Sequence, residues 1–337
     1  MDFITGATGI VGRELASQLI SAGHSVKALC RTNSDVTSVE NLITSRGLSL
    51  DRLTWVEGEL NDPQSLESSL EGCDRVFHVA ALVSFHPLDA VSLLETNVEG
   101  TKNMVNAMLH QDVKTLVYVS SVAALGRQEN KIVDEETPFE DGLGVTGYSR
   151  SKYLAELEVW RGQEEGLSVA VVNPSIIIGA GDFTRSSAEL FPQIHAGLSF
   201  YPSGSSGYVS SSDVAKACVL LADNNVRGER ILLNSENRSY KSLMSEIAIA
   251  LKVKPPFHVV KPWMSALVWR VFWLVEKLTG KRALATKSSL KMSRLIIKYD
   301  GTKIERVLAK EGVKWEYEPV NKAISRTAEN YLASISS

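Results

Sequence analysis

Three glycines in seven residues, directly behind a short apolar run, constrain this chain more than any other stretch. Asp2-Phe3-Ile4-Thr5 reads as a β-strand, Gly6-Ala7-Thr8-Gly9-Ile10-Val11-Gly12 as a turn, and Arg13 to Ala22 as an amphipathic helix. Strand, glycine-rich turn and helix is an arrangement that receives a pyrophosphate, because backbone N–H groups and the helix N-terminus present partial positive charge to it. Gly6 allows the tight turn, Gly9 lets backbone approach the phosphates, and Gly12 lets the helix pack close to the strand. Thr8, Ile10 and Val11 belong to the same contact. The spacing is G-x-x-G-x-x-G, not G-x-G-x-x-G, and an ordinary turn also accommodates it, so the rest of the chain has to decide.

The rest alternates. Val26–Cys30, Leu53–Glu57, Arg75–Val79, Lys114–Val119 and Val169–Val172 read as further strands, with helical segments between them, the longest from Leu93 to Leu109. Strands alternating with helices predict right-handed crossovers and an α/β fold, a Rossmann doubly wound parallel sheet covered on both faces. Ligands in such sheets sit outside the carboxyl ends of the strands, where the glycine loop, Ala80-Ala81 and Ser120-Ser121 all fall. Beyond Gly179 the alternation loosens. Residues 1–178 are therefore expected to form a dinucleotide-binding domain to which 212–235 return. Residues 179–211 and 236–337 are expected to form a smaller, mostly helical substrate lobe.

Composition closes off several functions. A net charge of −3 provides no basic field for nucleic acid. Cys30, Cys73 and Cys218 are odd in number and far apart, which suggests reduced thiols and a cytoplasmic setting. The six histidines show no ligand spacing, so no metal is expected. No signal peptide is expected, because the first predicted strand begins at residue 2. Trp263 to Leu278 is strongly apolar, but it is shorter than a membrane span and Arg270, Glu276 and Lys277 interrupt it, so no integral span is expected. Its apolar residues share one helical face, as in a buried helix or a subunit contact. A substrate wall or a membrane-surface helix is the alternative.

Two features carry chemistry. The second strand ends in Cys30-Arg31, with no carboxylate to repel a 2′-phosphate, and Arg31 offers charge-assisted hydrogen bonds to one. That favours NADP(H), with NAD(H) remaining possible. Tyr148 and Lys152 are four apart and share one helical face. A nearby ammonium and an oxidised nicotinamide would stabilise a phenolate and bring Tyr148 toward working pH as a proton carrier. Ser121 could hydrogen-bond the same substrate oxygen. A surface Tyr–Lys pair is the plain alternative.

Gly6-Ala-Thr-Gly-Ile-Val-Gly12, Asn97-Val-Glu-Gly-Thr101, Tyr118-Val-Ser-Ser121, Tyr148-Ser-Arg-Ser-Lys152 and Asn173-Pro-Ser175 together resemble, in order and spacing, an extended short-chain dehydrogenase/reductase. Phe77-His-Val-Ala-Ala81, Ser121-Val-Ala-Ala-Leu-Gly126 and Asn173-Pro-Ser-Ile-Ile-Ile-Gly179 look most like its dihydroflavonol 4-reductase and 3β-hydroxysteroid dehydrogenase types. The resemblance implies that Ser121, Tyr148 and Lys152 form the catalytic triad and that Asn97 supports its hydrogen-bond relay. It places Ser120 toward the cofactor, Arg31 on the 2′-phosphate, and Glu59 and Leu60 beside the adenine, with Glu59 standing where the family carries aspartate. Pro174, Ser175 and Ile176 would pass the nicotinamide by their backbone. A homodimer through the Asn97 and Tyr148 helices is implied. The expected activity is NADP(H)-dependent interconversion of a small-molecule ketone or aldehyde and an alcohol. The alternatives are a nucleotide-sugar epimerase or dehydratase with tightly bound NAD, and a non-catalytic nucleotide-sensing protein.

Overall fold

The computed structural model describes residues 1–127, 131–140, 142, 145–261, 264, 269–270 and 287–336. Of the strands among the described residues, all numbered in chain order, seven form one parallel sheet: β1 (Asp2–Thr5), β2 (Val26–Cys30), β3 (Leu53–Glu57), β4 (Arg75–His78), β5 (Thr115–Val119), β7 (Ser168–Pro174) and β11 (Glu229–Leu233), while β6 (Ile132–Val133) pairs outside it with Lys298–Tyr299. Their order is β11-β7-β5-β4-β1-β2-β3, so the winding reverses between β1 and β4. That crevice is where a doubly wound sheet receives its ligand.

The strands are apolar on alternate residues in both directions, because helices cover both faces. Ile4, Ala28, Phe77, Val117 and Val172 face α1 (Ile10–Ser21), α2 (Thr37–Ser45) and α8 (Ser211–Asp223) in one core. Phe3, Leu29, Val76, Tyr118 and Val171 face α3 (Pro63–Ser69), α5 (Gly100–His110) and α6 (Gly147–Glu164) in another. The long helix expected from Leu93 begins earlier, as α4 (Ala90–Leu93). It joins α5 through a wide π-helical turn, Leu94–Glu99, which holds Asn97.

β7 runs on to Pro174, and the chain then leaves the main sheet. β8 (Ile176–Ile178) pairs parallel with β10 (Ser205–Ser210), which pairs antiparallel with β12 (Glu236–Ser239). This second sheet packs with α7 (Leu190–His195), α9 (Tyr240–Ala250) and the final helix Val320–Ser336 around a third core, which includes Phe191, Tyr208, Ile247 and Ile324. Two details differ from the sequence reading. Ile176–Ile178 belong to the second sheet. Ile304, Leu308 and Trp315 pack into the main-sheet core, although they lie within 236–337. The apolar segment Trp263–Leu278 lies outside the described residues except at Met264, Trp269 and Arg270. Among the described residues, no helix is long and apolar enough to cross a membrane, and no cluster of His, Cys, Asp or Glu could hold a metal ion.

Candidate active site

The glycine loop is tight because backbone crowds it from two sides. Gly6 has φ +71°, and a Cβ there would lie 2.7 Å from Ala80 N. A Cβ on Gly12 would lie 2.1 Å from Gly6 O and 2.7 Å from Ala7 Cα, so Gly12 packs against the loop's own backbone. Ala80 and Ala81, both half-buried, follow β4. The Thr5 hydroxyl accepts from Val79 N and Ala80 N at 3.2 and 3.1 Å and ties the end of β1 to that turn. Helix α1 starts after Gly9 with no side-chain cap and no acidic residue in its first turn. Its N-terminal N–H groups and dipole are left for an external anion. Thr8 and Ile10 are half-buried at the loop surface, whereas the Val11 side chain is in the core.

At the other end of the crevice, Arg31 is exposed just after β2, its N–H donating to Ser34 Oγ at 3.1 Å. The Glu57 carboxylate, at the end of β3, accepts the Thr32 hydroxyl at 2.7 Å. Arg13 supports the same loop from α1 by donating to Ser38 O at 3.1 Å. Glu59 is exposed. Leu60 is half-buried, and its carbonyl accepts from Asn103 Nδ2 at 3.0 Å. Asp62 caps α3, accepting from Gln64 N and Ser65 N.

A capping box places Tyr148 in the first turn of α6: Thr146 Oγ1 accepts from Ser149 N at 3.1 Å, and Ser149 Oγ accepts from Thr146 N at 2.7 Å. The phenol is buried with Leu82, Leu93 and Ala123. Phe85 stands edge-on to it, the ring centroids 5.6 Å apart. Burial pushes the Tyr148 pKa up, and a hydrogen bond with the Ser121 hydroxyl pulls it back. Ser121 Oγ also accepts from Ala123 N at 3.1 Å.

Lys152 has partners that helical spacing does not show. It is fully buried, and its ammonium donates to Tyr118 Oη at 2.7 Å and to Val119 O at 3.0 Å, standing 4.4 Å over the Tyr118 ring. Four-residue spacing fixes a shared face, but a long side chain reaches for the strongest acceptors within range. Burial lowers the Lys152 pKa to about 7, with Glu156 one turn on opposing the shift.

Tyr118 begins a chain of buried hydroxyls. It hydrogen-bonds Thr101, whose hydroxyl donates to Asn97 O at 2.6 Å and meets His78 Nε2 at 3.0 Å. His78 Nδ1 meets Thr5 Oγ1 at 2.7 Å. One assignment satisfies every group: Thr5 donates to Nδ1, Nε2–H donates to Thr101, and Tyr118 donates to Thr101 while accepting from Lys152. It requires a neutral His78, and burial, then Lys152, holds its pKa down to about 3. The Asn97 carboxamide itself turns elsewhere. It bonds Leu82 N at 2.7 Å, Leu82 O at 3.0 Å and Ser151 Oγ at 2.9 Å, clamping the loop after β4 to α6. Asn97 joins Lys152 through its main-chain carbonyl, Thr101 and Tyr118.

Ser120 also departs from its expected place. Its hydroxyl donates to Glu156 Oε2 at 2.7 Å, facing away from the crevice. Glu156 is buried and also accepts from Asn173 Nδ2 at 2.9 Å and pairs with Arg230 of β11. A buried carboxylate needs such donors, and Ser120 is one of them. Asn173 Nδ2 further donates to Ser121 O at 3.0 Å. Pro174 and Ser175 are buried and Ile176 half-buried; Ser175 N donates to Leu233 O, and Ser175 Oγ is buried without a partner.

Sequence reasoning passed over Thr5, Thr101, Tyr118 and Glu156 as functional positions. Glu156 alone had a local signal, an acid four residues beyond a lysine on one helix.

Residues 3–233 match the model of the NAD dependent epimerase/dehydratase family. The chain is 30% identical over 313 residues to a putative dihydroflavonol 4-reductase of Synechocystis sp., covering 89% of this chain and 87% of that protein. It is 31% identical over 229 residues to cinnamoyl-CoA reductase 1 of Petunia hybrida, covering 65% and 67%. The crystal structure of gox2253 superposes with a TM-score of 0.81 at 29% identity, over 99% of this chain and 98% of that one.

Proposed function

Because this chain belongs to the NAD dependent epimerase/dehydratase family, as an oxidoreductase of the extended short-chain dehydrogenase/reductase type, we propose that it reduces a ketone or aldehyde to an alcohol with NADPH, or runs the reverse reaction. The observation that carries this reading is the buried Tyr148–Ser121 pair beside a helix N-terminus that has neither a side-chain cap nor an acid. The residues present fit a dinucleotide: the α1 N-terminus would hold the pyrophosphate, Arg31 a 2′-phosphate, and the buried Ser175 hydroxyl, which has no partner among the described residues, is available to the nicotinamide end. When bound, the nicotinamide supplies or accepts the hydride. Tyr148 gives its proton to the substrate oxygen in the reductive direction, and burial keeps the phenol protonated for that task. Ser121 donates a hydrogen bond to the same oxygen. Lys152, one helical turn along α6 and held by Tyr118 and Val119, supplies the positive charge that stabilises the phenolate left behind.

Leu82, Ala123 and the edge of Phe85 surround the phenol, so the group beside the reacting carbonyl is apolar. The dihydroflavonol and cinnamoyl-CoA reductase names of the two relatives fit this better than a nucleotide sugar would. The test is NADPH oxidation across a panel of aryl and alkyl carbonyls. Turnover on part of the panel is the expected result, and activity confined to nucleotide sugars with copurified NAD would overturn it. In Arg31→Ala the NADPH affinity should fall about tenfold or more, from the loss of a charge-assisted contact, while NADH affinity holds. Parallel titrations of the two cofactors check this, and equal losses would remove Arg31 from the phosphate. A homodimer through α4, α5 and α6 belongs to the same proposal. Leu88, Val91, Leu94 and Leu157 are exposed on these elements and the turns beside them, and light scattering should return twice the 36.9 kDa chain mass.

A further inference from the structure

The total charge of −3 conceals a strong partition. From Lys252 to Lys298 the chain carries eleven Lys and Arg residues and a single acid, Glu276. The same stretch carries Phe257, Trp263, Trp269, Phe272 and Trp273. Sixteen of the chain's aromatic and basic side chains thus fall within one seventh of its length, far along the sequence from the glycine loop and from Tyr148.

The described residues at the start of this stretch form an open apolar surface. β9 (Phe200–Tyr201) pairs with β13 (His258–Val259), and Phe257, Phe200 and Val259 are 67%, 41% and 37% exposed. Phe257 and Phe200 flank the His258 ring, with centroids 4.1 and 5.3 Å from it. With Tyr201, Lys261 and Met264 they line a surface concavity of about 360 Å³. Lys252 and Lys254 are exposed within five residues of Phe257, and the Lys241 ammonium stands 5.6 Å over the Tyr201 ring. A monomer in water does not normally cluster exposed phenylalanines. Apolar surface alone would fit another protein, but it would leave the exposed lysines at its rim, Lys252 and Lys254, unexplained. Basic charge with aromatic rings would also fit single-stranded nucleic acid. The aliphatic Val259 beside phenylalanines already packed on His258, however, offers bases little to stack on.

We propose that this face docks on an anionic lipid bilayer, with Phe257, Phe200 and Val259 entering the acyl boundary and Lys252 and Lys254 meeting headgroup phosphates and carboxylates. An apolar centre with a lysine rim is the chemistry of interfacial attachment. The attachment lies in the plane of the membrane and requires no spanning helix. It does not depend on the catalytic reading.

The experiment is sedimentation of the full-length protein with phosphatidylcholine vesicles and with phosphatidylcholine vesicles containing phosphatidylserine, at low and high salt. The protein should pellet with the anionic vesicles at low salt and leave them at high salt. Reversing both lysines, Lys252→Glu with Lys254→Glu, should weaken that partitioning roughly tenfold or more. Phe257→Ser with Val259→Ser should weaken it several-fold at every salt concentration. Circular dichroism checks that the variants fold, and the lipid and salt comparison on the wild-type chain stands without them. Failure to pellet with either vesicle would overturn the proposal. So would equal, salt-independent binding to both, or tight binding of single-stranded RNA without vesicle binding.

Discussion

Replacing Tyr148 with phenylalanine is expected to lower kcat for carbonyl reduction by about 10³-fold, within the range a positioned proton donor contributes. The side chain keeps its ring, so its packing with Leu82, Leu93, Ala123 and Phe85 survives and the fold should hold. The lost hydroxyl is the proton donor and the partner of Ser121. Nicotinamide binding should change little, because the pyrophosphate and 2′-phosphate contacts proposed above lie on the glycine loop and Arg31. Stopped-flow reduction with cofactor fluorescence separates the two quantities. A variant with near-normal turnover would take the proton transfer away from Tyr148.

Glu156→Gln is expected to have the largest effect on stability, about 3 kcal/mol, because it removes one partner of a buried ion pair and leaves Arg230 without its counter-charge. Denaturant unfolding measures it. The same substitution has a kinetic signature that plain destabilisation lacks. Lys152 titrates near pH 7 because burial lowers its pKa and Glu156 resists that lowering. The ammonium is present below that pH and lost above it, so reductive kcat should fall as pH rises through about 7. Removing the carboxylate charge lowers the Lys152 pKa further and moves that limb to lower pH. Stability runs the other way. Between pH 7 and the ordinary lysine value near 10.5, the unfolded chain holds a proton at Lys152 that the folded chain has released. The Lys152 contribution to folding therefore improves with rising pH while activity declines. A loss of activity that tracked unfolding would contradict the assignment, as would a limb unmoved in Glu156→Gln.

Much of the fold was legible because its signals are periodic and local. Alternating apolar strands with amphipathic segments between them can bury themselves only as a covered parallel sheet. The glycine turn, Arg31 at the end of β2 and the Ser121–Tyr148 pair stood in the order such a sheet needs. The second sheet was illegible because β8 continues the apolar run of β7 after a single residue, Ser175. Nothing local separates the two strands. In the site, sequence could not choose the targets of flexible or adjacent polar groups. Lys152 was given to Tyr148, one turn away, but it bonds Tyr118, 34 residues earlier. Ser120 was given to the cofactor, but it serves Glu156, 36 residues later. Such partners are set by which buried group lacks a donor, and that is known only once the strands are side by side.

The position of β11 has a consequence for how the chain is made. This strand completes the main sheet by pairing with Ala170–Pro174, and its arginine, Arg230, neutralises Glu156 behind Lys152. A ribosome has released six of the seven strands long before residue 229 emerges. Until then β7 offers a bare edge to any neighbouring nascent chain, and the carboxylate under it has no cation. The last strand of the main sheet to be synthesised thus both covers β7 and completes the charge balance behind the lysine, so a growing chain loses its exposed central edge and gains that balance in the same moment.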